Sequence, residues 1–275
     1  MATASIRPAA VAGHFYPDDP HVLRAQIGEM LAAAVPLETV SAPKALIVPH
    51  AGYVYSGPVA ASAYANVAGL RDVVRRVVLL GPAHRVAVRA FALPAAQFFS
   101  TPLGHIPVSR SDWETLQARP DVVVDDRPHA AEHSLEVQLP FLQTVLDTFE
   151  LVPLLVGNAD AEAVADIIET LWGGPETLIV ISSDLSHYQP YGQAQSCDRA
   201  TVGRILRLRS GIDHDQACGA TPVNGLLRAA VHHGLEPHLL DLRNSGDTAG
   251  DRSRVVGYAS IAFSESRTHA HAARH

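Results

Sequence analysis

The sequence predicts an α/β fold built on an open sheet, and two observations carry that prediction. Short runs rich in Val, Ile and Leu at 45–48, 77–80 and 178–181 read as strands buried on both faces, and they alternate with segments of helical apolar spacing. The second observation is the chemistry at the end of each run. Pro49-His50-Ala51-Gly52-Tyr53, Gly81-Pro82-Ala83-His84 and Ser182-Ser183-Asp184-Leu185-Ser186-His187 each carry residues that a metal ion can use, and Ala217-Cys218-Gly219 is a fourth such segment. In open α/β sheets ligands bind in the crevice outside the carboxyl ends of the strands. The pattern therefore predicts a site together with the fold.

Taken in order, residues 7–20 hold Gly13, Pro17 and Pro20 around His14-Phe15-Tyr16 and read as a loop pinned by aromatics. A helix is expected over 21–34. A strand at 44–48 and an Ala-rich helical stretch at 57–67 make a βα unit. The strand at 76–80 is stopped by Gly81-Pro82, whose turn chemistry exposes His84. Prolines 94, 102 and 107 suggest an irregular loop and hairpin up to Val108. Ser134 is positioned to cap a helix over 135–148, although Pro140 would interrupt its hydrogen bonding. A strand at 150–156, a helix at 161–171 and a strand at 176–181 continue the alternation. Asp184 to His187 reads as a turn that starts a helix. Helices at 193–209 and 221–233 and strands at 237–242 and 255–263 complete the chain, with a polar, Gly-rich loop at 243–254 between the last two. The expected organisation is one domain over 1–263 and a disordered tail over 264–275 that contains His269, His271 and His275.

Composition bounds the function. With 275 residues, 47% hydrophobic and 18% charged, the chain can bury an ordinary core without staples. Two cysteines, Cys197 and Cys218, are too few for a secreted disulfide framework. The start lacks a basic, apolar leader pattern, and there is no run of eighteen apolar residues, so a cytoplasmic protein off the membrane is expected. A net charge of -7, a single lysine at Lys44 and no Lys/Arg cluster argue against a nucleic-acid or anionic-membrane partner.

The chemistry concentrates in a few side chains. If the strands before His50 and His84 are neighbours, both imidazoles reach one ion; neutral imidazole suits Fe, Cu, Zn or Ni, and the alternative is two hydrogen-bonded histidines at loop starts. Asp184 and His187 are three residues apart, so the carboxylate either orients the imidazole as a base or ligand or merely caps the turn. Cys218 precedes the helix at Thr221-Pro222, where a helix N-terminus favours thiolate, although a lone cysteine is commonly inert core. Cys197 is assigned to the core. His129, Glu132, His133 and Glu136 are further candidates, against the plainer reading of a solvated first turn. Tyr53, Tyr188 and Arg243 carry weaker signals. P-loop, dinucleotide-binding, H-E-x-x-H and G-x-S-x-G patterns are missing, and the cysteine count excludes a Cys₄ zinc site.

Six segments together resemble the Memo family, which includes AmmeMemoRadiSam system protein B: Val11-Ala12-Gly13-His14-Phe15-Tyr16-Pro17, Pro49 through Gly57, Gly81-Pro82-Ala83-His84, Glu132-His133-Ser134-Leu135-Glu136 with Gln138-Leu139-Pro140-Phe141, Ser182 through Tyr188, and Cys218-Gly219. The resemblance runs in order from about residue 7 to 263. That family is similar in fold to the B subunit of class III extradiol dioxygenases, so the resemblance implies an α/β/α sandwich with a mainly parallel or mixed sheet. It implies His50, His84 and Cys218 as ligands of iron(II) or copper, and His187 with Asp184 as the acid/base. A cysteine in place of the dioxygenases' carboxylate makes the site softer and more oxidisable. Asp184 or Glu132 remains as an alternative oxygen ligand.

Two functions are implied by that likeness. The first is a metal-dependent oxidoreductase acting on O₂ and a small molecule. The second is a non-catalytic metal-binding, metal-delivery or peptide-binding protein working with radical-SAM and AMMECR-type partners. An open coordination position separates them.

Overall fold

In a computed structural model, residues 4–37, 40 and 42–265 are described. The elements are β1 (Ile6–Arg7), α1 (Pro20–Ala33), β2 (Ala45–Val48), α2 (Tyr53–Tyr64), β3 (Arg76–Pro82), β4 (Phe91–Leu93), β5 (Phe98–Thr101), β6 (Gly104–Pro107), α3 (Arg110–Gln117), β7 (Val122–Val124), α4 (Asp126–Ala130), α5 (Leu139–Val145), β8 (Glu150–Val156), α6 (Ala161–Thr170), β9 (Thr177–Ser182), β10 (His187–Gln189), α7 (Tyr191–Ile205), α8 (Ala220–His232), β11 (Leu235–Asn244), α9 (Ser245–Thr248) and β12 (Val255–Glu265).

The main sheet runs β10-β12-β2-β9-β3-β8-β4-β7, with β11 paired along β12. Strands β2, β9, β3 and β8 are mutually parallel; β12 and β4 flank them antiparallel, so the sheet is mixed. The pleat of the parallel strands divides the core in two. Leu46, Val48, Val77, Leu79, Leu178 and Val180 face one layer, built on Leu23 and Ile27 of α1, Tyr64 of α2 and Phe141 of α5. Ala45, Ile47, Val78, Leu80, Ile179 and Ile181 face the other, with Ile167 and Ile168 of α6, Val202 of α7 and Leu226 of α8. Helices cover both faces, giving an α/β/α sandwich. Strands apolar on successive residues are what such double coverage requires. A small sheet, β1-β5-β6, lies apart and holds the hairpin expected before Val108. No described helix is long and apolar enough to cross a membrane.

Several expectations need correction. The strands that lead to His50 and His84 are not neighbours, because β9 is inserted between β2 and β3. Ser134 does not cap a helix: its hydroxyl donates to the Pro82 carbonyl, and the chain makes a 3₁₀ turn at Glu136–Gln138 before α5 begins. Pro140 then falls in the first turn of α5, where it forfeits no hydrogen bond. Residues 184–187 do not open a helix but lead into β10; α7 starts only at Tyr191. The supposed loop at 243–254 contains the end of β11 and the short helix α9, closed by a capping box between Asn244 and Asp247. Strand β12 continues to Glu265, past the expected end of the domain, and the histidines at 269, 271 and 275 lie outside the described residues.

The N-terminal segment is fastened by a buried carboxylate. Glu136, fully buried, accepts hydrogen bonds from the Arg7 guanidinium, the Tyr16 hydroxyl and the backbone N–H groups of Ala10 (2.8 Å) and Val11 (3.0 Å). Arg7 also donates to the carbonyls of His129 and Glu132. Removing one member of a buried charged network leaves the others unpaired. Glu136→Gln is therefore expected to lower stability by about 3–5 kcal/mol, read as a shifted urea midpoint; an unchanged midpoint would show that the network contributes nothing net.

Candidate metal centre

His50 lies two residues beyond β2, and His84 two beyond β3. Their rings meet above the end of β9, with centroids 5.2 Å apart and planes at 73°. His133 joins them from the segment before α5, 5.4 Å from His50 and stacked on His84 at 4.8 Å. One ligand nitrogen from each of the three lies within 4.8 Å of those of the others. His50 is buried, whereas the His84 and His133 side chains keep 29% and 16% exposure, which opens the trio to solvent from one side.

Hydrogen-bond bookkeeping fixes which nitrogens are free. The Ser182 hydroxyl, at the end of β9, donates its one proton to the Ser134 carbonyl (2.6 Å) and accepts from the Gln138 amide (2.8 Å). With that proton committed, its 2.9 Å contact to His50 Nδ1 requires the imidazole to be the donor. His50 thus presents an unprotonated Nε2. Gln138 is oriented in turn by donating to the Pro49 carbonyl and accepting from the Tyr64 hydroxyl.

Glu132 does the same for His84. Its carboxylate accepts from His84 Nδ1 (2.9 Å) and from the backbone N–H groups of His84 (2.6 Å), His133 (2.9 Å) and Ser134 (3.0 Å). Burial pushes this carboxyl up, but the His84 imidazole and the backbone donors outweigh it and hold it at about 2. An ionised carboxylate only accepts, so His84 Nδ1 carries the proton and Nε2 is left free. No described residue hydrogen-bonds to His84 Nε2. His133 Nδ1 is buried and lacks a hydrogen-bond partner; Glu132 Oε1 stands 3.2 Å away but out of line. Phe15 packs against the His133 ring at 4.7 Å.

Burial, reinforced by the neighbouring imidazoles His84 and His133, holds His50 well below the usual histidine range. Burial likewise lowers His133 to about 4. Three convergent imidazoles, two with their Nδ1 atoms tied back by oxygen acceptors and one with an orphaned buried nitrogen, fit a transition metal ion.

Cys218 sits beside the trio, its Sγ 3.2 Å from His50 Nε2 and 3.7 Å from the Asp184 carbonyl. Two ligands on one ion with bonds of about 2.0 and 2.3 Å are about 3.0–3.5 Å apart, so the spacing suits a thiol donating to His50 and equally a thiolate sharing its metal. Gly219 allows this approach: a Cβ there would fall 2.7 Å from Ser183 Cβ. The helix N-terminus does not lower the thiol as expected. Burial, with the Asp184 charge adding to it, pushes Cys218 up to about 12, outweighing the hydrogen bonds around it that favour the thiolate. Cys197 lies on α7, half-buried rather than in the core.

Asp184 and His187 share no hydrogen bond, although the charge of one is felt by the other. The buried Asp184 carboxylate accepts from the His50 N–H at 2.7 Å, so it positions the loop after β2, and burial pushes its pKa up. His187 Nδ1 instead faces the Leu185 carbonyl at 2.8 Å. Beside it Tyr188 takes a left-handed φ of 58° in an interrupted register, and Arg254 lies over its ring. His187 is near enough for its charge to contribute to the lowered His50 pKa.

Other candidates hold the frame. Tyr53 donates to the Val137 carbonyl at 2.7 Å and packs on Tyr16 and Phe141. His129 is buried with Nε2 at the Ala92 carbonyl, and Arg243 pairs with Asp241. Ser182, Gln138 and Phe15, which lie in the family-like segments but were not named as site residues, touch the trio or its supports. Their place in those segments, with the Ser-Ser-Asp run after a strand for Ser182, was the available signal.

The model of the Memo-like protein family matches residues 7–262. The chain belongs to the Memo family. A MEMO1 family protein of Methanopyrus kandleri is 38% identical, covering 94% of this chain and 98% of its own length. One from Aquifex aeolicus is 35% identical, with coverage of 94% and 99%. In structure, this Memo-family chain is similar to an uncharacterized protein of Escherichia coli K12, with a TM-score of 0.51 and 14% identity over 80% of this chain and 99% of that one. That likeness concerns the fold alone.

The Ser182 hydroxyl is expected to govern metal affinity. Ser182→Ala should weaken zinc(II) binding, followed by calorimetry, about ten- to a hundredfold; unaltered affinity would mean that His50 is not held for a metal by this hydroxyl.

Proposed function

We propose that this Memo-family protein is a metal-dependent oxidoreductase that holds one iron or copper ion through His50, His84 and Cys218. The observation that supports it is the convergence of three imidazoles of which two have Nε2 freed by oxygen acceptors on Nδ1. His133 is a further nitrogen donor at the same point. When bound, a redox-active ion with an open position supplies binding and activation of O₂ or a reduced oxygen species.

The chain's own side chains do the rest. Ser182 and Glu132 fix the tautomers of His50 and His84 before any ion arrives, so neither imidazole has to flip on binding; Cys218, outside the group of donors that lie within 4.8 Å of one another, would have to turn toward the point they share. Cys218 would give up its proton on ligation, and because His50 Nε2 beside it is itself a ligand, that proton would leave to solvent. His187, partly exposed and with Nδ1 at the Leu185 carbonyl, would be the group that exchanges protons with a small substrate. The exposed faces of His84 and His133 leave the route by which that substrate enters.

A second reading, metal storage or delivery without turnover, is favoured by one feature. Cys218 adds a fourth donor beside the trio, and four protein ligands would close the coordination sphere.

The deciding experiment is metal analysis of the tag-free chain purified anaerobically, beside a His50→Ala/His84→Ala variant. About one iron or copper per chain, lost in the variant and accompanied by O₂ consumption with a small aromatic reductant, is the expected result. Absence of metal after anaerobic reconstitution would overturn the metal reading, and bound metal without O₂ consumption would favour storage. Cys218→Ser should weaken iron or copper binding about a hundredfold; full affinity in that variant would remove the thiolate from the ligand set.

A further inference from the structure

A second group of metal-ligating side chains gathers where two helices end, away from the strand-end crevice. Helices α6 and α8 pack closely enough that a Cβ at Gly225 would fall 2.3 Å from Val164 Cγ1. Beyond that crossing Glu169, near the end of α6, meets His232 and His233, at the end of α8. The two helices therefore run parallel and finish together. Glu169 Oε1 lies 3.0 Å from His232 Nδ1, and Oε2 lies 2.8 Å from His233 Nε2. His233 is held in place by Trp172, its ring stacked face to face with centroids 3.6 Å apart and planes within 7°.

We propose that Glu169, His232 and His233 form a second, solvent-accessible site for a borderline divalent transition ion such as Zn²⁺ or Ni²⁺, which would tie the C-terminal ends of α6 and α8. Two imidazoles and a carboxylate are the donors that these ions prefer. One ligand atom from each residue lies within 4.8 Å of those of the others. The donor spacings of 2.8 and 3.0 Å approach the edge of about 3.3 Å expected for a tetrahedron with metal–ligand bonds of about 2.0 Å. Two helix dipoles end here with their negative poles, which favours a cation. Without an ion the three groups hold one another by hydrogen bonds, so the site is assembled in advance. Side-chain exposures of 72% for His232, 27% for His233 and 32% for Glu169 leave an entry path and room for water ligands.

The test titrates Ni²⁺ into the full chain carrying His50→Ala/His84→Ala while tryptophan fluorescence is followed. A paramagnetic ion on His233 would lie against Trp172, whereas the other tryptophan, Trp113, is on α3 and donates to the Pro94 carbonyl. Saturable quenching at about one ion per chain is expected, weakened about a hundredfold in Glu169→Gln and in His232→Gln made on that background. No quenching, or equal quenching in those two variants, would overturn the site and assign any bound nickel to other histidines. The same titration of the wild-type chain and of His232→Gln alone decides between these outcomes even if the double alanine variant misfolds. Because the readout needs neither His50 nor His84, its failure leaves the strand-end centre untouched, and failure of that centre leaves this site standing.

Discussion

Two histidines carried by strands that do not touch have to meet over the strand between them. With β9 inserted, the ends of β2 and β3 are separated by two strand spacings, about 9.6 Å. Yet the imidazoles of His50 and His84 come within 5.2 Å. The side chain that makes this productive belongs to the intervening strand. Ser182 accepts a hydrogen bond from His50 Nδ1 from below and donates its own to the carbonyl of Ser134, in the segment that supplies Glu132 and His133. One hydroxyl therefore ties β2, β9 and the approach to α5 at a single point.

Two buried glutamates four residues apart divide the remaining work. Glu132 collects four donors, three of them backbone, and so sets the tautomer of His84 while fixing its own loop. Glu136 binds Arg7, Tyr16 and the backbone of Ala10 and Val11, which brings Phe15 over His133. Burying two carboxylates so close together is costly unless each is saturated with hydrogen bonds. Both are, and the N-terminal segment is thereby made part of the wall of the site.

Much of this was legible in advance. The parallel strands were readable because burial on both faces demands unbroken apolar runs, and the histidine and cysteine segments because a sheet presents its strand ends together. What misled was local chemistry with a better partner elsewhere. Ser134 looks like a helix cap, but its hydroxyl is used by Pro82. Asp184 looks like the partner of His187, three residues on, but it accepts from the His50 backbone instead. Cys218 lies before a helix that should acidify it, yet desolvation prevails. The helices α3 and α4 are short and polar, and β7 is only three valines long, so these elements carried too little periodicity to be found.

By itself the sequence determined the kind of sheet, the strand ends that carry metal-ligating residues, and the family, since its motifs recur in order along the chain. Strand order and tautomers were decided only by the tertiary structure. Pairing of parallel strands depends on crossovers that no local pattern encodes, and the free nitrogen of an imidazole depends on which distant oxygen accepts its proton. For the same reason the meeting of Glu169 with His232 and His233 became visible only once α6 and α8 were packed side by side.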